Sequence, residues 1–100
     1  MTPETKVKTA IMQRIAAEGR LDTWCIKIYA DAMQGTGTID LLGAWHGRPF
    51  FIEGKAEGKK PTATQYATIE RARRGGFISG YADSVEMFIR LVGEWDSGKP

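Results

Sequence analysis

The residue types best suited to chemistry in this chain are Asp40, Glu53 and Lys55, all within the stretch GTIDLLGAWHGRPFFIEGK from Gly37 to Lys55. Residues 38–45 and 48–55 read as two apolar strands joined at His46-Gly47, a short turn in which Gly accepts positive φ and His tolerates it better than most. A two-residue turn there pairs Trp45 with Arg48. Counting outward, it pairs Asp40 with Glu53 at a non-hydrogen-bonded position, where α-carbons lie about 4.5 Å apart. Two carboxylates on one sheet face at roughly 5 Å repel by about 3 kcal/mol at an effective dielectric of about 20, so the pair calls for an offsetting charge. Mg²⁺ would supply it, being typically held by one or two carboxylates with waters and substrate phosphates. Lys55 follows Glu53 by two residues and therefore points to the same face, beside the ion. The competing reading makes all three ordinary strand-end charges reaching solvent, with Lys55 neutralising a neighbour. Phe51 shares the face of Glu53 and Leu42 that of Asp40, so at least part of this face is expected to be covered, which favours the cation site.

The elements that must hold these residues follow from periodicity and punctuation. Residues 3–18 read as a helix, with Thr2 as cap, Pro3 in the first turn, Val7, Ala10, Ile11 and Ile15 at helical spacing, and Gly19 as terminator. Residues 23–30 are β-branched and aromatic and read as a strand, followed by a flexible connector from Asp31 to Thr38. After a polar loop over 56–61, Thr62 and Gln65 form a capping box for a helix ending at Gly75-Gly76. Phe77 to Ala82 reads as a fourth strand. Asp83 and Glu86 read as a second capping box, opening a last helix with Val85, Phe88, Ile89 and Val92 on one face. The order α-β-β-β-α-β-α implies an antiparallel meander and a helical crossover that lays the fourth strand parallel to a neighbour. The expected fold class is α/β, a mixed four-stranded sheet with helices on both faces, which accounts for second and third strands that are apolar on both parities.

One hundred residues, 42 % hydrophobic and 26 % charged, fit one domain, taken as 1–95 with a frayed tail over 96–100. So small a chain buries a limited share of its surface, which makes self-association an expectation. The single cysteine, Cys25, excludes an internal disulfide and a multi-cysteine zinc site and suits a reducing, cytoplasmic setting. No signal-peptide pattern or membrane-spanning apolar run is present, so no membrane partner is expected. A net charge of +2 does not by itself argue for nucleic acid.

Asp40, the run Glu53-Gly54-Lys55 and the later Gln65 resemble the D…E-x-K…Q pattern of the PD-(D/E)XK nuclease superfamily. The chain looks most like its virus-type replication-repair (VRR-NUC) branch, a compact phage and bacterial domain. The resemblance runs from about Glu4 to Phe88 and includes the αβββαβ core order of the restriction-endonuclease-like fold, here followed by a C-terminal helix. Ile39 stands where the family usually has proline, which leaves the approach to Asp40 less rigid, and Gly54 is smaller than the usual apolar middle residue. The resemblance implies metal-dependent hydrolysis of DNA phosphodiesters. Asp40, Glu53 and the Gly54 carbonyl would hold Mg²⁺, with Mn²⁺ as a substitute, and Lys55 would orient a water and balance transition-state charge.

Gln65 has a sufficient structural role in capping the Thr62 amide, yet it shares a face with Ile69 and Ala72 and leans inward, which suits a site role as well. Glu4 is favoured in a first turn by the helix dipole. It also lies on the stripe of Val7, Ile11 and Ile15, and the resemblance implies an acidic residue at this place near the metal. Glu18 is on the same stripe, but about 21 Å away along the axis, so only one of the two can reach the site. Lys59 and Lys60, with Arg71, Arg73 and Arg74, are phosphate-binding candidates. Solvated loop lysines and dipole-paired arginines are the competing readings. His46 is a turn residue, Cys25 is packing, and Trp95 suits an interface. The function expected is a Mg²⁺-dependent, structure-selective DNA endonuclease, of the four-way (Holliday) junction-resolving kind and acting as a homo-oligomer on branched DNA. The alternatives are a catalytically weak nucleic-acid-binding module and a flap or restriction-type nuclease.

Overall fold

The computed structural model describes residues 2–29 and 39–96; the 31–38 connector, tail residues 97–100 and the Trp95 side chain lie outside the described residues. Seven elements follow in the order α1 (Pro3–Ala16), β1 (Trp24–Tyr29), β2 (Ile39–Trp45), β3 (Arg48–Gly54), α2 (Ala63–Arg74), β4 (Ile78–Ala82) and α3 (Val85–Asp96). The Thr2 hydroxyl accepts from the Thr5 amide at 3.1 Å and starts α1. The helix stops at Ala16, two residues short of the expected end. There the chain tightens through Glu18 N–H to Ile15 O and Gly19 N–H to Ala16 O, and it turns away at Gly19 with φ +63°.

His46 and Gly47 adopt φ +50° and +81°, both positive, as the tight hairpin turn requires. That turn sets the register Trp45↔Arg48 through Leu42↔Phe51 to Asp40↔Glu53. The sheet order is β1-β2-β3-β4, antiparallel at the first two junctions and parallel between β3 and β4. The parallel pairing comes from the α2 crossover, which returns the chain beside the strand it left. Thr62 and Gln65 form the expected reciprocal capping box at the start of α2. The box expected at Asp83 is not formed. Ser84 caps α3, its hydroxyl accepting from the Met87 amide at 3.1 Å, and the Asp83 carboxylate instead takes the Gly58 amide at 3.0 Å, tying down the loop after β3.

Alternation along the strands gives the sheet two faces of different character. Leu41, Phe50, Ile52, Ile78 and Ala82 line the inner face, where Ile11 and Ile15 of α1 and Phe88 and Val92 of α3 close over them as the core. The outer face carries Asp40, Leu42, Phe51 and Glu53. Helix α2 packs on its β3–β4 half, so helices do lie on both faces. The β1–β2 half is less covered than the sequence suggests. Trp24 and Ile26 there are 48 % and 49 % exposed, and Leu42 and Phe51 are half-buried. A single twelve-residue helix is too narrow for a four-stranded sheet.

Candidate functional site

The register that pairs Asp40 with Glu53 places the two acids side by side on the outer face, at the end of the sheet where β3 runs out. Glu53 is 3 % exposed. Its Oε1 accepts a hydrogen bond of 2.8 Å from Gln65 Nε2, which fixes the carboxyl from the α2 side. Burial pushes the Glu53 carboxyl well above the usual carboxylate range, and the adjoining Asp40 carboxyl pushes it further by hydrogen bonding and by charge. The ammonium groups of Lys8 and Lys55 pull it back. Asp40 Oδ1 is buried without a hydrogen-bond partner, the only such side-chain atom among the described residues. Leaving a buried acceptor unpaired costs about 1–3 kcal/mol, and more for a charged group, so this corner of the sheet favours a proton or a cation.

Gln65 makes both the cap and a contact with Glu53. Its Oε1 accepts from the Thr62 amide at 2.9 Å, completing the capping box, and from Lys55 Nζ at 3.4 Å, while its Nε2 serves Glu53. One amide can do this because oxygen and nitrogen face opposite ways, and the cap uses only the oxygen. Lys55, immediately after β3, keeps its backbone in the parallel ladder through its N–H to Ala82 O at 3.0 Å. Its ammonium also lies 3.5 Å from Glu4 Oε1. Glu4 and Gln65 stand in the first turns of α1 and α2, so two helix N-termini converge on the end of β3.

Of the two candidate glutamates on α1, Glu4 is the one at the site. Glu18 is at the opposite end of the hairpin, with its carboxylate oxygens 2.9 Å from His46 Nε2 and 2.7 Å from Arg14 Nη1, and those contacts hold it below the usual carboxylate range. His46 is thus a turn residue that also clamps α1 to the hairpin. Glu4 faces ammonium groups rather than the acidic pair. Among the described residues no three His, Cys, Asp or Glu side chains stand close enough together to hold an ion. The donor set that fits a cation is therefore Asp40 with its unpaired oxygen, Glu53 and the nearby backbone carbonyls. An all-oxygen set of this kind suits a hard ion such as Mg²⁺, which keeps several of its waters.

Lys8 escaped the sequence reading altogether. It is 2 % exposed, and its Nζ reaches Glu4 Oε2 at 3.3 Å. The signal was available in two places. Lys8 stands three and seven residues before Ile11 and Ile15 and so continues the buried stripe, and Gly54 is unexpectedly small. A Cβ on Gly54 would come within 2.5 Å of Lys8 Cγ and 2.8 Å of its Cε, so the glycine is the seat of the lysine stem.

The remaining candidates stay outside this network. Lys59 and Lys60 are exposed in the loop after the site, and Arg71 is exposed on α2. Arg74 pairs with Glu70 at 3.4 Å, and Arg73 donates to Ser79 O at 2.8 Å, anchoring α2 to β4. Burial pushes the Cys25 thiol up to about 12, which makes it an inert packing group. A groove of about 620 Å³ between α2 and α3, lined among others by Tyr66, Arg73, Tyr81 and Arg90, does not include the acidic pair. No protein family, curated protein or solved structure matches the chain. No helix of the described residues is long and apolar enough to cross a membrane.

Proposed function

We propose that this chain is a metal-dependent nuclease of the PD-(D/E)XK kind, as its resemblance to the VRR-NUC branch implies. The observation that carries the reading is the opposed pair Asp40↔Glu53, with one Asp40 oxygen buried and unpaired and Lys55 alongside. A protein with no use for a cation would gain stability by losing one of these acids.

Asp40, Glu53 and the Gly54 carbonyl are the groups that would hold Mg²⁺ or Mn²⁺. Bound there, the ion supplies polarisation of a phosphoryl oxygen and a lowered pKa for a water. The protein's own residues do the rest. Gln65 holds the Glu53 carboxylate in one orientation through its 2.8 Å bond. Lys55, held between Glu4 and Gln65, offers its ammonium to the attacking water and to the charge that develops on the phosphate. Burial of Glu53 and Lys8 keeps the local dielectric low, so each of these contacts is stronger than it would be in water.

DNA, branched DNA in particular, is the substrate proposed, with Lys59, Lys60, Arg71 and Arg74 on its phosphates. Resolving a four-way junction takes two coordinated cuts, and one chain supplies one acidic pair, so the active species is read as a homo-oligomer in the cytoplasm. The test is cleavage of labelled four-way junction, flap and linear duplex in Mg²⁺ or Mn²⁺, beside Asp40→Asn and Lys55→Ala. Metal-dependent cutting of the junction, lost in both variants, is the expected outcome. Binding without cutting under either metal would replace the enzyme with a nucleic-acid-binding module, and preferential cutting of flap or linear duplex would reassign the substrate.

A further inference from the structure

Lys8 is a charged side chain that is almost wholly buried, at 2 % exposure, although its helix has an exposed side to which a lysine could turn. Burying an ammonium is costly even when it is paired and hydrogen-bonded, so the place of this one asks for an explanation. Its stem lies across Gly54, where any Cβ would collide with it, so the residue between Glu53 and Lys55 is small for the sake of Lys8. Its head meets Glu4 Oε2 at 3.3 Å, and the other oxygen of the same carboxylate meets Lys55 Nζ at 3.5 Å. The path then continues from Lys55 to Gln65 Oε1 at 3.4 Å and from Gln65 Nε2 to Glu53 at 2.8 Å.

From this chain of contacts we infer that Lys8 is a positioning residue for Lys55, acting through Glu4, with Gly54 as its seat. The inference deepens the nuclease reading and rests on it for the use to which Lys55 is put. Glu4 is 32 % exposed, and a carboxylate in contact with water is free to swing unless something holds it. Lys8 reaches it from the buried side and takes one oxygen, which leaves the other turned to Lys55. Without Lys8, Glu4 gains hydration and Lys55 keeps only Gln65. The role differs from a simple contribution of positive charge. A bare ammonium near the acidic pair acts on cation binding alone, as the Lys8 charge does on Glu53, whereas a positioning role acts in addition on the ammonium of Lys55.

Three measurements on the full chain test this. The first is metal-free and concerns the seat. Gly54→Ala is expected to lower Tm by several degrees in the wild-type background and to be neutral or stabilising in a Lys8→Ala background; an equal loss in both backgrounds would overturn the seat. The second reads Lys55 itself through the NMR signal of its ¹⁵N-labelled ammonium in metal-free protein. Lys8→Met and Glu4→Gln are each expected to speed its hydrogen exchange, and the double variant to speed it no more than Glu4→Gln alone. An unchanged Lys55 signal in Lys8→Met overturns the positioning role. The third is junction cleavage across a Mn²⁺ titration, where Lys8→Met is expected to lower the maximal rate by about tenfold even at saturating Mn²⁺, although loss of its charge favours cation binding. A shift confined to the Mn²⁺ requirement would instead make Lys8 a field residue of the acidic pair. Wild-type protein that cuts nothing would sink the nuclease reading while the first two measurements still decide the place of Lys8.

Discussion

Asp40 and Glu53 are a costly arrangement for a domain whose whole stability is on the order of 5–15 kcal/mol. Glu53 holds its proton far more tightly in the folded protein than the ordinary value of 4.5 would suggest, because it is buried and faces Asp40. A carboxyl whose folded pKa is raised makes the folded state bind the proton that the unfolded chain has released. Metal-free stability therefore falls as pH rises from that ordinary value toward the raised one. Asp40→Asn removes the opposing charge. At pH 8, where folding must take up a proton that the unfolded chain has released, it is expected to stabilise the metal-free protein by about 1–3 kcal/mol, and at pH 5, where that uptake costs almost nothing, the difference should shrink. Thermal unfolding at the two pH values measures both. Adding Mn²⁺ should raise the wild-type Tm, more at pH 8 than at pH 5 because ion and proton compete, and should leave Asp40→Asn nearly unmoved. A variant less stable than wild type at pH 8 without metal would remove the repulsion argument.

At the scale of elements, the hairpin is the device that creates the site. Its two-residue turn admits one register, and a slip of one residue would send Asp40 and Glu53 to opposite faces. The central position of β2 is equally constrained, since a Cβ on Gly43 would lie 2.0 Å from Trp24 O and 2.9 Å from Cys25 Cα. Gly43→Ala is thus expected to cost about 3 kcal/mol, read as a lowered urea midpoint with an unchanged slope. The loss should come from separation of β1 from β2 rather than from the acidic pair. The caps at the other end work with the site rather than beside it. The residue that completes the capping box of α2, Gln65, is also the one that orients Glu53, so the start of α2 and the geometry of the carboxyl are set together.

For the molecule as a whole, the polar network collects where three elements end or begin: the end of β3 and the first turns of α1 and α2. Lys59 and Lys60 extend from the loop that leaves this corner, and Asp83 fixes that loop through the Gly58 amide. If the two lysines neutralise backbone phosphates, each substitution to alanine should weaken junction binding uniformly across sequences and reduce the salt dependence by about one unit of slope. Titrations at several salt concentrations in Ca²⁺ would give the slopes. An unchanged slope in the double variant would return both lysines to the solvated surface.

The elements and the acidic pair were legible in the residues themselves. Helical and alternating periodicity, the Thr62-to-Gln65 box and the His46-Gly47 turn all act over a few residues, where hydrogen bonding and sterics leave little choice, and the turn alone carries Asp40 to Glu53. What lay beyond reach depended on which elements meet. Glu4 and Glu18 occupy one stripe, and only the packing of α1 across the sheet sends the first to Lys55 and the second to His46. The stripe of Ile11 and Ile15 runs through Lys8, but the glycine beneath its stem is far away in sequence, 54 against 8, and adjacent only in the fold. Ser84 displaced Asp83 as the cap because the Gly58 amide, brought near by the parallel crossover, offered Asp83 another partner. The half-open outer face has the same cause. Periodicity says which side of a strand is apolar, whereas the width of sheet that one helix can cover is decided only when the layers are stacked.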